Sequence, residues 1–419
     1  MNTIERRVLD AIEIDALIAF LCDLVAIRSL DGHETAAQRH IAAAMRSFGF
    51  AVDEWAIDFA ALRQHPAFCW EVERTEGVGV VGVLGAERGG PSLIFNGHID
   101  VVPAGDSANW TFPPWQGTVA DGKIYGRGVL DMKSGLCCGL FAAKAIMDAG
   151  VALNGRLLVQ SVIGEEDGGV GTLATILRGH VADAAVIMEP TELCIAPAQA
   201  GALSFRLIVP GLSAHGCVRE EGVSAIEKFI PLHAALLALE AERNACETSP
   251  LYARYRLPYP LSIGTIHAGD WPSSVPESLV CEGRYGIAVG EHAAQARAEF
   301  EAAIARAVAA DPWLQAHPPL VEWWGGQFDS AFTATDHPIV TTLAEAFAAT
   351  SGGATRLEGM TYGADMRLLT NVGNVPTVMF GPGDVRRSHQ PDEYVPAADL
   401  IAVTRALALT ALRFCGYGD

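Results

Sequence analysis

The sequence predicts an α/β protein interrupted by a smaller α+β segment. Three observations carry this. The chain has 419 residues, half of them hydrophobic, so two or three domains with sizeable cores are expected. Short apolar runs alternate with helical patterns, the mark of strands buried on both faces. Near residue 201 the pattern changes to β-α-β-β-α-β, the order of a ferredoxin-like unit.

The elements follow in order. Residues 4 to 28 have helical spacing, with Leu17, Ile18, Leu21, Leu24 and Val25 on one face. A second helix runs from Glu34 to Phe48 and stops at Gly49. "VGVVGVLG" and "PSLIFNGHID" read as strands, "LCCGLFAAKAIMDAG" as a helix, "GRLLVQSVIGEE" as a strand, "LATILRGH" as a helix and "DAAVIMEP" as a strand. "GVGVVG" has dinucleotide-loop spacing, but no helix follows it, so it reads as strand. "GDSANWTFPPWQGTVADGKIYG" is too long for a simple linker and reads as an ordered loop. The inserted unit comprises strand "GALSFRLIVPG", helix "GVSAIEKFIPLHAALLALEAERN", strands "PLSIGTIHAG" and "ESLVCEGRYGIAV", helix "EHAAQARAEFEAAIARAVAA" and strand "PLVEWWGG". The α/β pattern then resumes with helix "HPIVTTLAEAFAATSG", strand "VPTVMFGPG" and helix "AADLIAVTRALALTALRF".

Composition excludes some functions. With 29 basic and 49 acidic residues the net charge is −20, which repels nucleic acid and anionic membrane. The apolar run "ALIAFLCDLVAI" is too short to span a membrane and contains Asp23. Nine scattered cysteines without a C-x-x-C pair predict reduced thiols, and no apolar leader is visible, so a cytoplasmic location is expected. Cys137 and Cys138 read as core, and Trp323 and Trp324 as a packed strand end.

The polar residues that end the apolar strands carry the chemistry. His98 and Asp100 close "FNGHID", and a His beside a carboxylate suits a metal ligand whose other ring nitrogen is held by the acid. Asp131 lies in "GRGVLDMKSG" before a helix. Taken alone it reads as an N-cap, with Lys133 on the surface. In "GEED", neighbours on an extended segment point opposite ways, so Glu165 and Glu166 suit divided roles, one binding metal and one moving protons. Glu189 ends "VIMEP", and His389 lies in "SHQPDE" after a strand. Two imidazoles with several carboxylates at strand ends fit zinc, cobalt or manganese and not a thiolate-rich structural zinc site.

These blocks, "GHIDVVP", "GRGVLDMKSG", "GEED", "EPT", "GLSAHG" and "FGPGD…SHQPDE", resemble the co-catalytic di-zinc amidohydrolases that include acetylornithine deacetylase, succinyl-diaminopimelate desuccinylase and glutamate carboxypeptidase. The resemblance implies a mixed-sheet, three-layer catalytic domain, residues 1–200 and 327–419, holding two divalent ions, with a lid and dimerisation domain at 201–326. It implies His98, Asp131 and Glu189 on one ion, and Asp131, Glu166 and His389 on the other. Asp100 would orient His98, Glu165 would be the general base, and His215 of "GLSAHG" would reach a partner's site in a homodimer. The expected reaction is deacylation of a small N-acetyl, N-formyl or N-succinyl amine. A carboxypeptidase or dipeptidase is the alternative, and a catalytically silent binding protein the third reading. One departure stands out: the family's Asn-x-x-Pro element is replaced within "WPSSVPESLVCEGR", leaving Arg284 as candidate clamp for a substrate carboxylate.

Overall fold

Leu93–His98, buried along its whole length, is the strand around which the first unit is built. It pairs in parallel with Leu157–Val162 on one side and Ala184–Ile187 on the other, and Thr377–Met379 extends the parallel run. Every residue of these strands is buried, which explains their unbroken apolar runs. Antiparallel strands complete the sheet. Val78–Leu84 and then Ala51–Ala56 add beyond Leu157–Val162, and Ile195–Gln199 adds beyond Thr377–Met379. The result, among the described residues, is a nine-stranded mixed sheet. Helices Ser134–Asp148 and Ala397–Cys415 are buried over most of their length.

The protein is described by a computed structural model, covering residues 1–86 and 89–418. It divides into two units. The first is Met1–Ala198, Phe332–Glu358 and Ala364–Asp419, and the second is Gln199–Ala331 with Gly359–Gly363. In the second, an all-antiparallel sheet runs Leu261–Ala268, Ser278–Ile287, Gly201–Pro210, Leu320–Phe328. Helices Ala225–Ala245 and Ala293–Ala309 contribute Phe229, Leu232, Leu236 and Phe300 to a core shared with Phe205, Leu207, Leu279 and Tyr285. Along Gly201–Pro210 burial alternates, as a sheet with one buried face requires. On the open face Arg206 reaches Glu282 at 2.7 Å and Glu322 at 3.2 Å, each its cross-strand partner.

Local differences from the sequence reading have simple causes. The expected helix over 4 to 28 is two helices, Thr3–Asp10 and Ile14–Ala26, the first fixed by an Asn2–Glu5 capping box. The Gly/Pro/Trp-rich stretch contains a hairpin, Thr118–Ala120 with Lys123–Tyr125, turned at Asp121 and Gly122 with φ of 50° and 72°. All nine cysteines are free, and Cys137 and Cys138 are fully buried. Among the described residues no helix is long and apolar enough to cross a membrane.

Candidate metal centre

Parallel strands deliver their carboxyl ends to one edge of the sheet, and the polar residues collect there. His98 is the last residue of its strand. Glu189 follows Ile187 by two positions. Glu165 and Glu166 follow Val162 on a tight turn closed by Gly168 N–H donating to the Glu165 carbonyl at 3.2 Å. The two glutamates are therefore not on an extended segment as the sequence suggested; the turn separates their directions. His389 occupies a left-handed position, φ 62°, in the loop beyond Thr377–Met379. Asp131 lies in the irregular turn Val129–Lys133 that precedes helix Ser134–Asp148.

Asp131 stands between two imidazoles. Its Oδ1 is 3.2 Å from His98 Nε2 and its Oδ2 is 3.5 Å from His389 Nε2. His389 Nε2 is also 3.2 Å from Glu166 Oε1. Around His98 Nε2 lie Glu189 Oε1 at 3.7 Å and Glu165 Oε2 at 3.9 Å. The Nδ1 of His98 is 2.9 Å from the Asp100 main-chain carbonyl. A carbonyl only accepts, so Nδ1 carries the proton and Nε2 faces the acids. Asp100 thus meets the ring chiefly through its backbone. Its carboxylate stands 3.7 Å from the same nitrogen and accepts the Glu166 N–H at 3.0 Å, tying the His98 strand to the glutamate turn.

The electrostatics of the cluster are those of an anionic cage. Burial, then repulsion from Glu189, holds the Glu165 carboxyl well above the usual range. Glu189 and Glu166 are raised by burial and by neighbouring Asp131. Burial pulls His98 down, but Asp100, Asp131, Glu189 and Glu165 outweigh it and hold the imidazole well above its ordinary value. Hydrogen bonds to Asp131 and Glu166 push His389 up to about 11. Burial works against the Asp131 carboxylate, but the two imidazoles keep it far below the usual range. Glu189 Oε1 and Asp100 Oδ1 are buried without a hydrogen-bond partner. Glu165, Glu166 and Glu189 are left short of positive charge, and divalent cations would supply it. Two compact donor groups, His98–Asp131–Glu166 and His98–Glu165–Glu189, each have their atoms within 4.8 Å of one another. Imidazole nitrogen with carboxylate oxygen and no thiolate suits zinc, cobalt or manganese.

Two expected site residues belong to the second unit. His215 is exposed; its Nδ1 accepts the Cys217 N–H at 3.1 Å and it bridges to Ser274. Arg284 is half-buried on strand Ser278–Ile287 and donates to the Thr361 carbonyl at 2.8 Å. Sequence reasoning missed other residues. Glu393 accepts N–H groups of Leu130 at 3.0 Å and Asp131 at 3.4 Å and pairs with buried Arg127, so it joins the His389 loop to the Asp131 turn. Its position four residues after His389 in "SHQPDE" was the available signal. Lys133, expected on the surface, is fully buried. Its Nζ donates to the carbonyls of Leu24 at 3.0 Å and Ile27 at 2.9 Å, which end helix Ile14–Ala26 and need donors.

Comparison with known proteins gives the following. The profile of peptidase family M20/M25/M40 matches residues 94–413. The chain is 31% identical over 347 residues to N-formyl-4-amino-5-aminomethyl-2-methylpyrimidine deformylase of Halalkalibacterium halodurans, covering 77% of this chain and 79% of that one. It is 29% identical to acetylornithine deacetylase of Myxococcus xanthus, covering 86% and 90%. In structure it is similar to human carnosine dipeptidase 1, with a TM-score of 0.75 at 16% identity over 99% of both chains; at that identity the likeness speaks of fold.

Proposed function

The chain belongs to peptidase family M20/M25/M40 and is a hydrolytic enzyme acting on amide bonds; from that premise we propose that it deacylates a small N-acylated amine. The observation that carries this reading is the convergence of His98, Asp131, Glu166, Glu189 and His389 at one sheet edge, with a further carboxylate, Glu165, beside them. His98, Asp131 and Glu189 would hold one divalent ion, and Asp131, Glu166 and His389 a second, zinc being favoured over cobalt or manganese. When bound, such ions polarise an amide carbonyl and make water more acidic.

The chain's own residues do the rest. Glu165 would take the proton of the attacking water and return it to the leaving amine. Asp100 holds the His98 ring by its Nδ1. His215, delivered by a second copy, would donate to the developing oxyanion. Arg284, with no carboxylate partner among the described residues and its charge disfavoured by burial, would take a substrate carboxylate. Support for the dimer comes from the second unit: among the described residues the edge strand Leu261–Ala268 has one neighbour only, and Ile266 on it and Ile230 on helix Ala225–Ala245 are 51% and 61% exposed. An open edge with apolar residues invites pairing with its own copy. Nine free thiols suit the reducing cytoplasm.

The two named sequence relatives act on N-formyl and N-acetyl amines, which favours deacylation over dipeptide cleavage. The test is a hydrolysis screen of N-formyl, N-acetyl and N-succinyl amines against dipeptides, with zinc, cobalt or manganese added. An acylated amine should exceed every dipeptide in kcat/KM. Cleavage of dipeptides alone would establish the peptidase alternative. Inertness toward all of them with metal bound would end the deacylase reading.

A further inference from the structure

Arg74 is wholly buried, on a segment to which the sequence assigned no role, and is enclosed by three acids. Its Nη2 is 2.9 Å from Asp31 and 2.7 Å from Glu34, its Nη1 is 2.7 Å from Asp167, and its Nε is 3.0 Å from Glu34. Asp167 directly follows Glu165 and Glu166. The carboxylate oxygen that meets Arg74 also accepts the N–H groups of Val72 at 2.8 Å and Glu71 at 3.2 Å. The end of the turn is held as well: the Gly168 carbonyl accepts from Arg367 Nη2 at 2.7 Å. Packing leaves no slack. A Cβ on Gly164 would lie 2.9 Å from Arg74 Nη2, and one on Gly168 would lie 2.1 Å from the Cys69 carbonyl.

We propose that Arg74, acting through Asp167, is the positioning residue of the Glu165–Glu166 turn, setting which glutamate faces His98 and which faces His389. The inference rests on the ligand and base roles proposed above. Stability alone is a poor account of the arrangement, because one guanidinium faces three acids, two of them buried, and buried ion pairs stabilise weakly or not at all. Direction is what it does supply. Glu165 Oε2 lies 3.9 Å from His98 and Glu166 Oε1 3.2 Å from His389. Adjacent residues can keep such different partners only if the turn between them cannot rotate. Asp167 is the one side chain of that turn gripped from outside by both a cation and two amides, and the Asp100 bond to Glu166 N–H fixes the other end.

The experiment titrates cobalt(II) into metal-free protein, following heat and visible absorption, alongside steady-state kinetics of the loaded enzyme. Asp167→Asn keeps the shape and the amide contacts and loses the ion pair. It should weaken one cobalt step about 10- to 100-fold, alter the cobalt spectrum and lower kcat comparably, with KM nearly unchanged. Arg74→Lys, which keeps charge but not the fork, should weaken the same step. Glu34→Gln removes a charge but keeps an oxygen acceptor that holds the guanidinium in place and does not touch the turn, so it should lower Tm while leaving both cobalt steps and kcat near wild type. Wild-type cobalt binding and kcat in Asp167→Asn, or equal losses in Glu34→Gln, would overturn the proposal. Glu166→Ala separates the two levels. If it keeps both cobalt steps at full strength, the ligand assignment itself falls. If it loses one while Asp167→Asn and Arg74→Lys behave as wild type, only the role of Arg74 falls.

Discussion

Replacing Glu165 tests the division of labour at the centre. The structure offers Glu165 two roles with opposite consequences. It lies 3.9 Å from His98 Nε2 and forms with His98 and Glu189 a group compact enough to hold an ion, yet Glu166 is the glutamate bonded to His389. As the base, Glu165 contributes about 10²- to 10⁴-fold to the rate, or about 3 to 5 kcal/mol at roughly 1.4 kcal/mol per tenfold. Glu165→Ala should therefore lose that much kcat while metal content matches wild type by elemental analysis after gel filtration. The metal-free protein gives a second readout. The folded-state pKa of Glu165 is raised, so the folded chain holds this proton more tightly than the unfolded chain. Its contribution to stability is present below the ordinary carboxylate pKa, about 4.3, and is lost as pH rises through the folded value. Glu165→Gln should remove that loss, raising the metal-free Tm near neutral pH and flattening its pH dependence. The reasoning is refuted if Glu165→Ala sheds an ion while Glu166→Ala keeps both, or if kcat falls less than about tenfold.

Other expectations follow from the same geometry. Among the described residues Asp131 alone contacts both imidazoles, so Asp131→Ala should lose both ions and His389→Ala one; an Asp131→Ala protein with full metal content contradicts this. Chelation should abolish hydrolysis, and added zinc or cobalt should restore it; undiminished activity in protein shown metal-free by elemental analysis would end the metal reading. His215→Ala should keep its metals and lose about 10²- to 10³-fold in kcat. Dimers re-formed from inactive His215→Ala and Glu165→Ala chains should then recover part of the activity, and no recovery despite proven subunit exchange removes His215 from the partner's site. Burial pushes the Lys133 ammonium down to about 7, against about 10.4 in the unfolded chain. Between those values the unfolded chain binds the extra proton, so stability should rise with pH by up to about 1.4 kcal/mol per unit; urea unfolding of Lys133→Met should lack that rise.

The legible parts of the fold were those where local sequence and burial agree. Leu93–His98 and Leu157–Val162 are enclosed on both faces, so their apolar runs are unbroken and their ends visible. Ile195–Gln199 is equally buried, but Pro197 and its short length hid it, since proline argues against a central strand. Of the site, His98, Asp131, Glu166, Glu189 and His389 stood out because each follows an apolar strand or a glycine-rich turn. Lys133 and Arg74 did not, and the reason is distance in sequence. Lys133 is satisfied by carbonyls 109 and 106 residues away, and Arg74 meets Asp167 across 93 residues. A buried charge whose partners are that remote leaves no local pattern, and the ordinary reading of such a lysine is a surface one.

Two adjacent glutamates at the end of a buried strand are an unfavourable thing to fold. Burial raises both Glu165 and Glu166, with repulsion from Glu189 acting on the first and from Asp131 on the second. The fold offsets part of this with His98 and His389, which the acids hold protonated, and with a guanidinium placed one residue beyond the pair. Two divalent ions, one at each imidazole, would displace their protons and take over their role as counter-charge. Glu165, relieved of its own proton by the added positive charge, would then be free to accept one from the attacking water. The same repulsion that burdens the metal-free fold therefore makes the centre receptive to cations. The turn that keeps Glu165 and Glu166 on different partners would keep both acids from collapsing onto one ion, an arrangement that would leave no carboxylate free to accept a proton from water.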